Sequence, residues 1–270
     1  MFSVLLVFGT RPEVIKLAPV YKELRSRPER FRTVCCSTGQ HRELLDQMLD
    51  VFDIRPDLDL RIIEHDQSLF HLITSVLSGM EEILARERPD ITIVQGDTSS
   101  AFAAALASFY FKVPVAHVEA GLRSHDRLRP FPEEINRTLI SHIADLNFCP
   151  THGSAENLAN EGIDRSTIFV TGNTVIDALL ESVEKLRETG ALEEYVNELE
   201  LPRDRMILVT GHRRESFGKG LQDLSQSLID LMRLHDDICI VYSVHPNPHV
   251  RGPVQAMLKG HERIITISPP

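Results

Sequence analysis

The sequence predicts an α/β protein in which parallel sheets are covered by helices on both faces. Short β-branched runs alternate with longer amphipathic stretches, beginning with residues 4–8 and 12–27. Because strands that alternate with helices form βαβ units, the sheets should be parallel. The alternation restarts at residue 206 after a charged stretch, so a second sheet is expected.

The first series of elements predicts a Rossmann-like domain at residues 1–170. A turn at Gly172 and Asn173 follows its last strand and sets the predicted boundary. Its predicted strands are residues 4–8, 33–37, 91–95, 113–118, 147–149 and 168–171. Its predicted helices are residues 12–27, 41–52, 69–87, 99–111 and 133–144.

The second series predicts another Rossmann-like domain at residues 171–270. A helix at 175–187 and a charged stretch at 193–204 come first. Strands are then predicted at 206–209, 238–244 and 264–267, with helices at 221–234 and 250–258. These strands are too few for a complete doubly wound sheet, so the second domain is expected to be incomplete.

Composition excludes several classes of function. The formal net charge of -10 argues against binding to nucleic acid or to an anionic membrane. The apolar run at residues 4–8 is too short for a signal peptide or a spanning helix. The four cysteines lie in strand-like runs without metal-ligand spacing, which indicates buried, reduced thiols and a cytoplasmic protein.

Acidic residues follow successive predicted strands, where ligands of parallel sheets gather. Asp97 follows the strand at 91–95, Glu119 follows the strand at 113–118, and Glu133 or Glu134 opens the next helix. A single acid in such a position is more often a helix cap than a catalytic group. Three at one edge of a sheet favour proton transfer at carbon, because neighbouring carboxylates can serve as acid and base.

Two loops have the composition of a phosphate site. Residues 9–13 combine a glycine with Arg11 at the start of a helix, and Lys16 lies one turn further. The loop at residues 209–220 carries His212, Arg213 and other cations between glycines, as a diphosphate cradle requires. The alternatives are an ordinary strand-to-helix turn and a flexible basic loop.

Two patterns resemble metal sites only superficially. His245 and His249 have a metal-like spacing, but no helix or acidic third ligand accompanies them. Asp57 and Asp59 form a DxD pattern, which we interpret as solvated turn residues. No metal is therefore expected.

Several motifs together resemble the bacterial non-hydrolysing UDP-N-acetylglucosamine 2-epimerase family over the whole chain. They are Phe8-Gly9-Thr10-Arg11-Pro12-Glu13, Gln40-His41-Arg42 with Leu45-Asp46-Gln47, Gly96-Asp97-Thr98, His117-Val118-Glu119-Ala120-Gly121-Leu122-Arg123, Pro132-Glu133-Glu134 with Asn136-Arg137, Thr171-Gly172-Asn173-Thr174-Val175-Ile176-Asp177 and Gly211-His212-Arg213-Arg214-Glu215. The ensemble is far more specific than any one of them.

The resemblance implies the glycosyltransferase B type of fold, with two Rossmann-like domains and neither metal nor redox cofactor. It implies an isomerase of polysaccharide biosynthesis that interconverts UDP-N-acetylglucosamine and UDP-N-acetylmannosamine by eliminating and re-adding UDP. A homodimer formed through the first domain is also implied. The family continues past residue 270 with further nucleotide contacts, so a C-terminally truncated chain of impaired activity is expected.

The resemblance also assigns residues. Asp97, Glu119, Glu133 and His212 match catalytic positions, and which carboxylate removes the proton stays open. The substrate contacts are Arg11, Lys16, Asp97, Glu119, His212 and Arg213. A second, allosteric UDP-N-acetylglucosamine site matches Gln40, Glu133, Arg213 and His245. Asp66 departs from the pattern, because some relatives place an arginine in that stretch.

Three alternatives come from other classes. A hydrolysing epimerase would release free N-acetylmannosamine and UDP. A glycosyltransferase of this architecture would need an acceptor and would leave the hydrogen on carbon 2 in place. An inactive nucleotide-sugar-binding fragment would bind without turnover.

Overall fold

The computed structural model describes residues 1–39, 42–62, 68–199, 205–211, 218–245 and 247–267. They form two compact units, Met1–Thr189 and Gly190–Pro270. Each unit contains a parallel sheet with helices packed against it.

The first unit is built on a seven-stranded sheet. Its strands are β1 (Phe2–Phe8), β2 (Phe31–Ser37), β3 (Leu58–Asp59), β4 (Ile91–Gln95), β5 (Val115–Val118), β6 (Leu146–Cys149) and β7 (Ile168–Val170). They lie in the order β3-β2-β1-β4-β5-β6-β7, and all paired neighbours are parallel.

Helices cover both faces of this sheet. They are α1 (Arg11–Arg25), α2 (Arg42–Val51), α3 (Leu69–Glu87), α4 (Ser99–Tyr110), α5 (Glu133–Ile143), α6 (His152–Asn160) and α7 (Thr174–Glu188). Successive side chains of a strand point to opposite faces, so β1 contributes to two cores. Leu5 and Val7 pack with α3, α4 and α5, whereas Leu6 and Phe8 pack with α1, α2 and α7.

The strand order creates a crevice at the centre of the sheet. Strands β1 and β4 are paired neighbours, yet α1 follows β1 onto one face and α4 follows β4 onto the other. The loops that leave these two strands therefore diverge at the carboxyl edge. Ligands of open α/β sheets bind at such a point.

The second unit is smaller. Its elements are α8 (Ala191–Glu198), β8 (Arg205–Gly211), α9 (Lys219–Leu234), β9 (Ile238–Val244), α10 (Pro248–Leu258) and β10 (Ile264–Ile267). The sheet order is β10-β9-β8, and Ile240 and Tyr242 of the central strand are fully buried. Helices α9 and α10 and the flanking strands complete its core.

Helix α7 lies in the first compact unit, beyond the boundary that the sequence suggested at residue 170. Ala178 is fully buried in the core that α1 shares. Glu181 forms an ion pair with Lys22 of α1, and Lys185 Nζ lies 2.8 Å from Asp53 Oδ2. Packing against α1 thus joins α7 to the first sheet, although a glycine turn precedes it.

Among the described residues, four short elements were not predicted: β3, α6, a 3₁₀ helix at Arg165–Thr167 and α8. Strand β3 is two residues long and follows Asp57, which we had interpreted with Asp59 as solvated. Both aspartates are exposed, in agreement with that interpretation, and Asp57 also accepts a hydrogen bond from the Cys35 backbone N–H (2.8 Å) and forms an ion pair with Arg25 (2.9 Å). Asp57 therefore links β2 to α1 near the edge of the sheet.

The four cysteines are buried with free thiols, as predicted. Burial raises the pKa of Cys35 and Cys36 to about 12 and that of Cys149 to about 11. Because the thiolate is the reactive form, these side chains are inert at neutral pH. In the part of the chain that the structure describes, no helix is long and apolar enough to cross a membrane.

Candidate active site

The loops after β1, β4 and β5 bring acidic and basic side chains to the carboxyl edge of the first sheet. Gln95 at the end of β4 pairs in register with Val118 at the end of β5. Asp97 and Glu119 follow these residues, so they leave neighbouring strands at the same edge. Paired strands lie about 4.8 Å apart, which brings the two acids into one region.

Glu119 is held from two sides. Lys16 of α1 places Nζ 2.7 Å from Oε1 and 2.5 Å from Oε2. Asn173, directly before α7, donates an Nδ2–H to Oε2 at 3.2 Å. The backbone of Glu119 has φ +67°, a left-handed conformation that residues other than glycine adopt rarely and at a cost. Such strain is typical of functional positions.

Asp97 is fixed by α5. Its carboxylate forms an ion pair with Arg137, whose side chain is mostly buried. The Asn136 side-chain amide donates to the Asp97 carbonyl oxygen at 3.0 Å. Arg137 Nη1 also lies 3.4 Å from Glu134 Oε2, so one guanidinium serves two acids. The backbone and side chain of Asp97 are therefore both held in place.

Glu133 and Glu134 have different roles, although both lie in the first turn of α5. Glu134 is buried and accepts hydrogen bonds from the backbone N–H groups of Ser124 (2.9 Å) and His125 (3.1 Å). It thus stabilises the loop before α5. Glu133 Oε2 is buried and has no hydrogen-bond partner among the described residues. Glu134 Oε2 is likewise buried without a hydrogen-bond partner, but Arg137 Nη1 lies 3.4 Å from it, whereas no ion pair holds Glu133 among the described residues.

Sequence reasoning missed the structural role of Glu13. This side chain is 1% exposed, accepts the Gly9 N–H at 3.0 Å and accepts the Thr98 hydroxyl at 2.9 Å. Burial raises its pKa. Glu13 thereby ties the loop after β1 to the loop that carries Asp97. A signal was present, because Glu13 lies four residues before Leu17 on the buried face of α1.

Gly9 permits this close approach of loops. A Cβ atom at this position would lie 2.2 Å from Thr38 Oγ1 and 2.8 Å from Ser100 Oγ. The groups that come close to the Gly9 backbone are therefore protein side chains.

His117 anchors the same region from β5. It is fully buried, and its Nε2–H donates to the Gly96 carbonyl oxygen at 2.7 Å. Nδ1 lies 3.2 Å from the Ser141 hydroxyl oxygen. Burial lowers the pKa of His117 from 6.5 to about 4. The ring is neutral at pH 7 and serves as a fixed hydrogen-bond donor to the turn before Asp97.

The free energy of unfolding should fall as the pH is lowered from about 6.5 to about 4. The unfolded chain protonates His117 near 6.5, whereas the folded chain resists protonation until about 4, so unfolding takes up a proton in this window. At 1.36 kcal/mol per pKa unit, the loss is roughly 3 kcal/mol. Urea unfolding of the wild type and of His117→Gln across this range measures it. If the two curves have the same pH dependence, the assignment is wrong.

Of the remaining predicted site residues, the structure describes Arg11 and His245. Arg11 is exposed at the first residue of α1. His245 follows β9 in the second unit, and its Nδ1 accepts the Asn247 N–H at 3.2 Å. His212, Arg213 and Gln40 lie outside the described residues, as does Asp66.

The arrangement combines the two functions that acid–base chemistry on an anionic substrate requires. Carboxylates at Asp97, Glu119 and Glu133 can exchange protons with a bound molecule. Lys16 and Arg137 place positive charge beside Glu119 and Asp97, and positive charge in such a position can stabilise an anion.

The family described as UDP-N-acetylglucosamine 2-epimerase matches residues 22–270. The UDP-N-acetylglucosamine 2-epimerase of Escherichia coli strain K12 is 48% identical over 274 aligned residues, which cover 99% of this chain and 72% of that protein.

Solved structures agree with this relationship. The Neisseria meningitidis UDP-GlcNAc 2-epimerase bound to UDP-GlcNAc superposes with a TM-score of 0.90 at 42% identity, covering 100% of this chain and 73% of that one. The Methanocaldococcus jannaschii enzyme in complex with UDP-GlcNAc and UDP has a TM-score of 0.81 at 32% identity, with coverages of 99% and 74%. These similarities and the two parallel sheets confirm the predicted α/β fold of the glycosyltransferase B type.

Proposed function

The chain belongs to the UDP-N-acetylglucosamine 2-epimerase family, and on that premise we propose that it interconverts UDP-N-acetylglucosamine and UDP-N-acetylmannosamine. The reaction class is isomerisation. We further propose the non-hydrolysing course, in which UDP is eliminated and then added back with inversion at carbon 2.

The observation that carries the proposal is the pair of held acids at the ends of β4 and β5. Glu119 is bound by Lys16, and Asp97 is bound by Arg137. A substrate that loses a proton from carbon and releases a diphosphate needs both a carboxylate and positive charge close to the reacting atoms. The UDP-GlcNAc seen with the Neisseria protein supports a nucleotide sugar as the ligand.

The proposed reaction consists of an elimination followed by an addition. A carboxylate takes the proton from carbon 2, the bond between carbon 1 and the diphosphate oxygen breaks, and a double bond forms between carbons 1 and 2. UDP leaves with the electron pair of the broken bond. A diphosphate oxygen then adds to carbon 1, and a proton is delivered to the opposite face of carbon 2. Asp97, Glu119 and Glu133 are the candidate proton carriers.

The same proposal includes the residues whose roles follow from family resemblance. Arg11, Lys16, His212 and Arg213 contact the substrate, and His212 takes part in catalysis. A second UDP-N-acetylglucosamine bound by Gln40, Glu133, Arg213 and His245 regulates the enzyme. A homodimer, a cytoplasmic location and a role in polysaccharide biosynthesis complete the proposal.

Incubating the purified protein with UDP-N-acetylglucosamine in deuterated water tests this function. We expect deuterium at carbon 2 and the NMR signals of UDP-N-acetylmannosamine, since a proton removed from carbon is replaced from solvent. Free N-acetylmannosamine with UDP would select the hydrolysing course. Binding without either change would indicate an inactive nucleotide-sugar-binding fragment, and transfer only to an added acceptor would indicate a glycosyltransferase.

A further inference from the structure

We propose that Asn173 is a positioning residue that orients the Glu119 carboxylate for proton transfer. The inference rests on the proposed function and assigns a role to the segment between β7 and α7. Asn173 is 54 residues away from Glu119 in the sequence, yet the two side chains are in direct contact.

The Asn173 amide bridges two groups. Its Oδ1 accepts the Val175 N–H at 3.1 Å, which caps the first turn of α7. Because the carbonyl oxygen is committed to this cap, the amide NH₂ faces the other way and donates to Glu119 Oε2 at 3.2 Å. The opposite orientation would place a carbonyl oxygen against the carboxylate. The cap thus determines which end of the amide meets Glu119.

Glu119 needs a second restraint besides Lys16. The lysine ammonium sits on a flexible four-carbon stem and donates without a fixed direction. The Asn173 side chain is short, and its cap already holds it in one orientation. It therefore gives one oxygen of the carboxylate a donor in a fixed position without changing the net charge of the site.

Packing between α1 and α7 brings the two donors to Glu119. Ala178 of α7 is fully buried in the core that contains Leu17 and Ala18 of α1. Lys22 and Glu181 form an ion pair one turn further along. The helix that carries Lys16 and the helix that Asn173 caps are thereby anchored to each other. Glu119 lies between their amino-terminal ends.

Two substitutions separate positioning from capping. Asn173→Asp and Asn173→Ser both keep an oxygen that can cap α7, but neither keeps the amide donor. Removing a hydrogen bond to a charged group should lower kcat about 10- to 100-fold. KM should change less than about threefold, because the carboxylate remains present but disordered. Both variants should melt near the wild-type temperature.

The aspartate variant adds a pH signature. A new negative charge beside Glu119 disfavours a second ionised carboxylate, so the acidic limb of kcat/KM should move to higher pH. Asn173→Ser adds no charge and should leave that limb in place. Wild-type kcat in both variants would overturn the proposal, as would a loss of activity that follows only a loss of folded protein.

Failure of the proposed function can be distinguished from failure of the positioning role. The wild-type protein is first assayed in deuterated water, and a lack of epimerisation there rejects the function alone. The positioning role is then read from the side-chain ¹³C resonance of Glu119, assigned by its absence in Glu119→Gln. This resonance should shift or broaden in Asn173→Ser, and an unchanged resonance rejects the role.

Discussion

The Glu119→Gln variant should epimerise UDP-N-acetylglucosamine about 10²- to 10⁴-fold more slowly than the wild-type protein, the range that one acid–base group contributes. The amide cannot take up a proton from carbon, and it also loses the ion pair with Lys16. Conversion measured by NMR gives kcat. Circular dichroism and thermal melting show whether the fold is retained.

A matched substitution on the surface provides the control. Glu156 forms an exposed ion pair with Arg165, so Glu156→Gln should leave kcat at the wild-type value. Asp97→Asn and Glu133→Gln belong in the same series. The variant that loses deuterium exchange at carbon 2 identifies the proton-abstracting residue. An unimpaired Glu119→Gln protein contradicts a catalytic role for this side chain.

The long elements were predictable because their signals are local. Helix α3 and strand β4 have the bounds that the sequence suggested, residues 69–87 and 91–95. Their apolar residues repeat at helical or strand periodicity within one segment. Strand β3 is only two residues long, which is too short to show a strand periodicity. In α6, Gly153 near the start of the helix weakens the helical signal. Short elements depend on tertiary partners that a sequence window does not contain.

The acids of the site were predictable for a similar reason. Asp97 and Glu119 follow strands directly, and parallel strands deliver their carboxyl ends to one edge. Their partners were not predictable. Arg137 and Asn173 reach them across 40 and 54 residues of sequence, and nothing in the local pattern links those positions. Both residues lie in motifs that carry the family resemblance, but the resemblance implies no role for either.

The partly buried ion pair of Arg123 and Glu161 leads to the largest expected effect on stability. The Arg123 side chain is 2% exposed, and its Nε and Nη2 lie 2.7 and 2.8 Å from the two carboxylate oxygens. Glu161→Ala leaves this guanidinium buried without a counter-charge. Removing one partner of a fully buried pair costs about 3–5 kcal/mol, and because Glu161 is 27% exposed we expect a loss near the lower end of that range. Urea unfolding of the wild type and the variant at pH 7 measures the difference.

The pH dependence and a double variant make this prediction specific. Hydrogen bonding to Arg123 lowers the pKa of Glu161, so its contribution to stability is complete above the ordinary value of 4.5 and is lost as the pH falls through the lower folded value. The Glu161→Ala protein should lack that component. Replacing both residues in Arg123→Met/Glu161→Met removes the isolated charge and should recover much of the loss, because an apolar pair of similar size can substitute for a buried ion pair. If the double variant is less stable than Glu161→Ala, desolvation of an unpaired Arg123 is not the cause of the destabilisation.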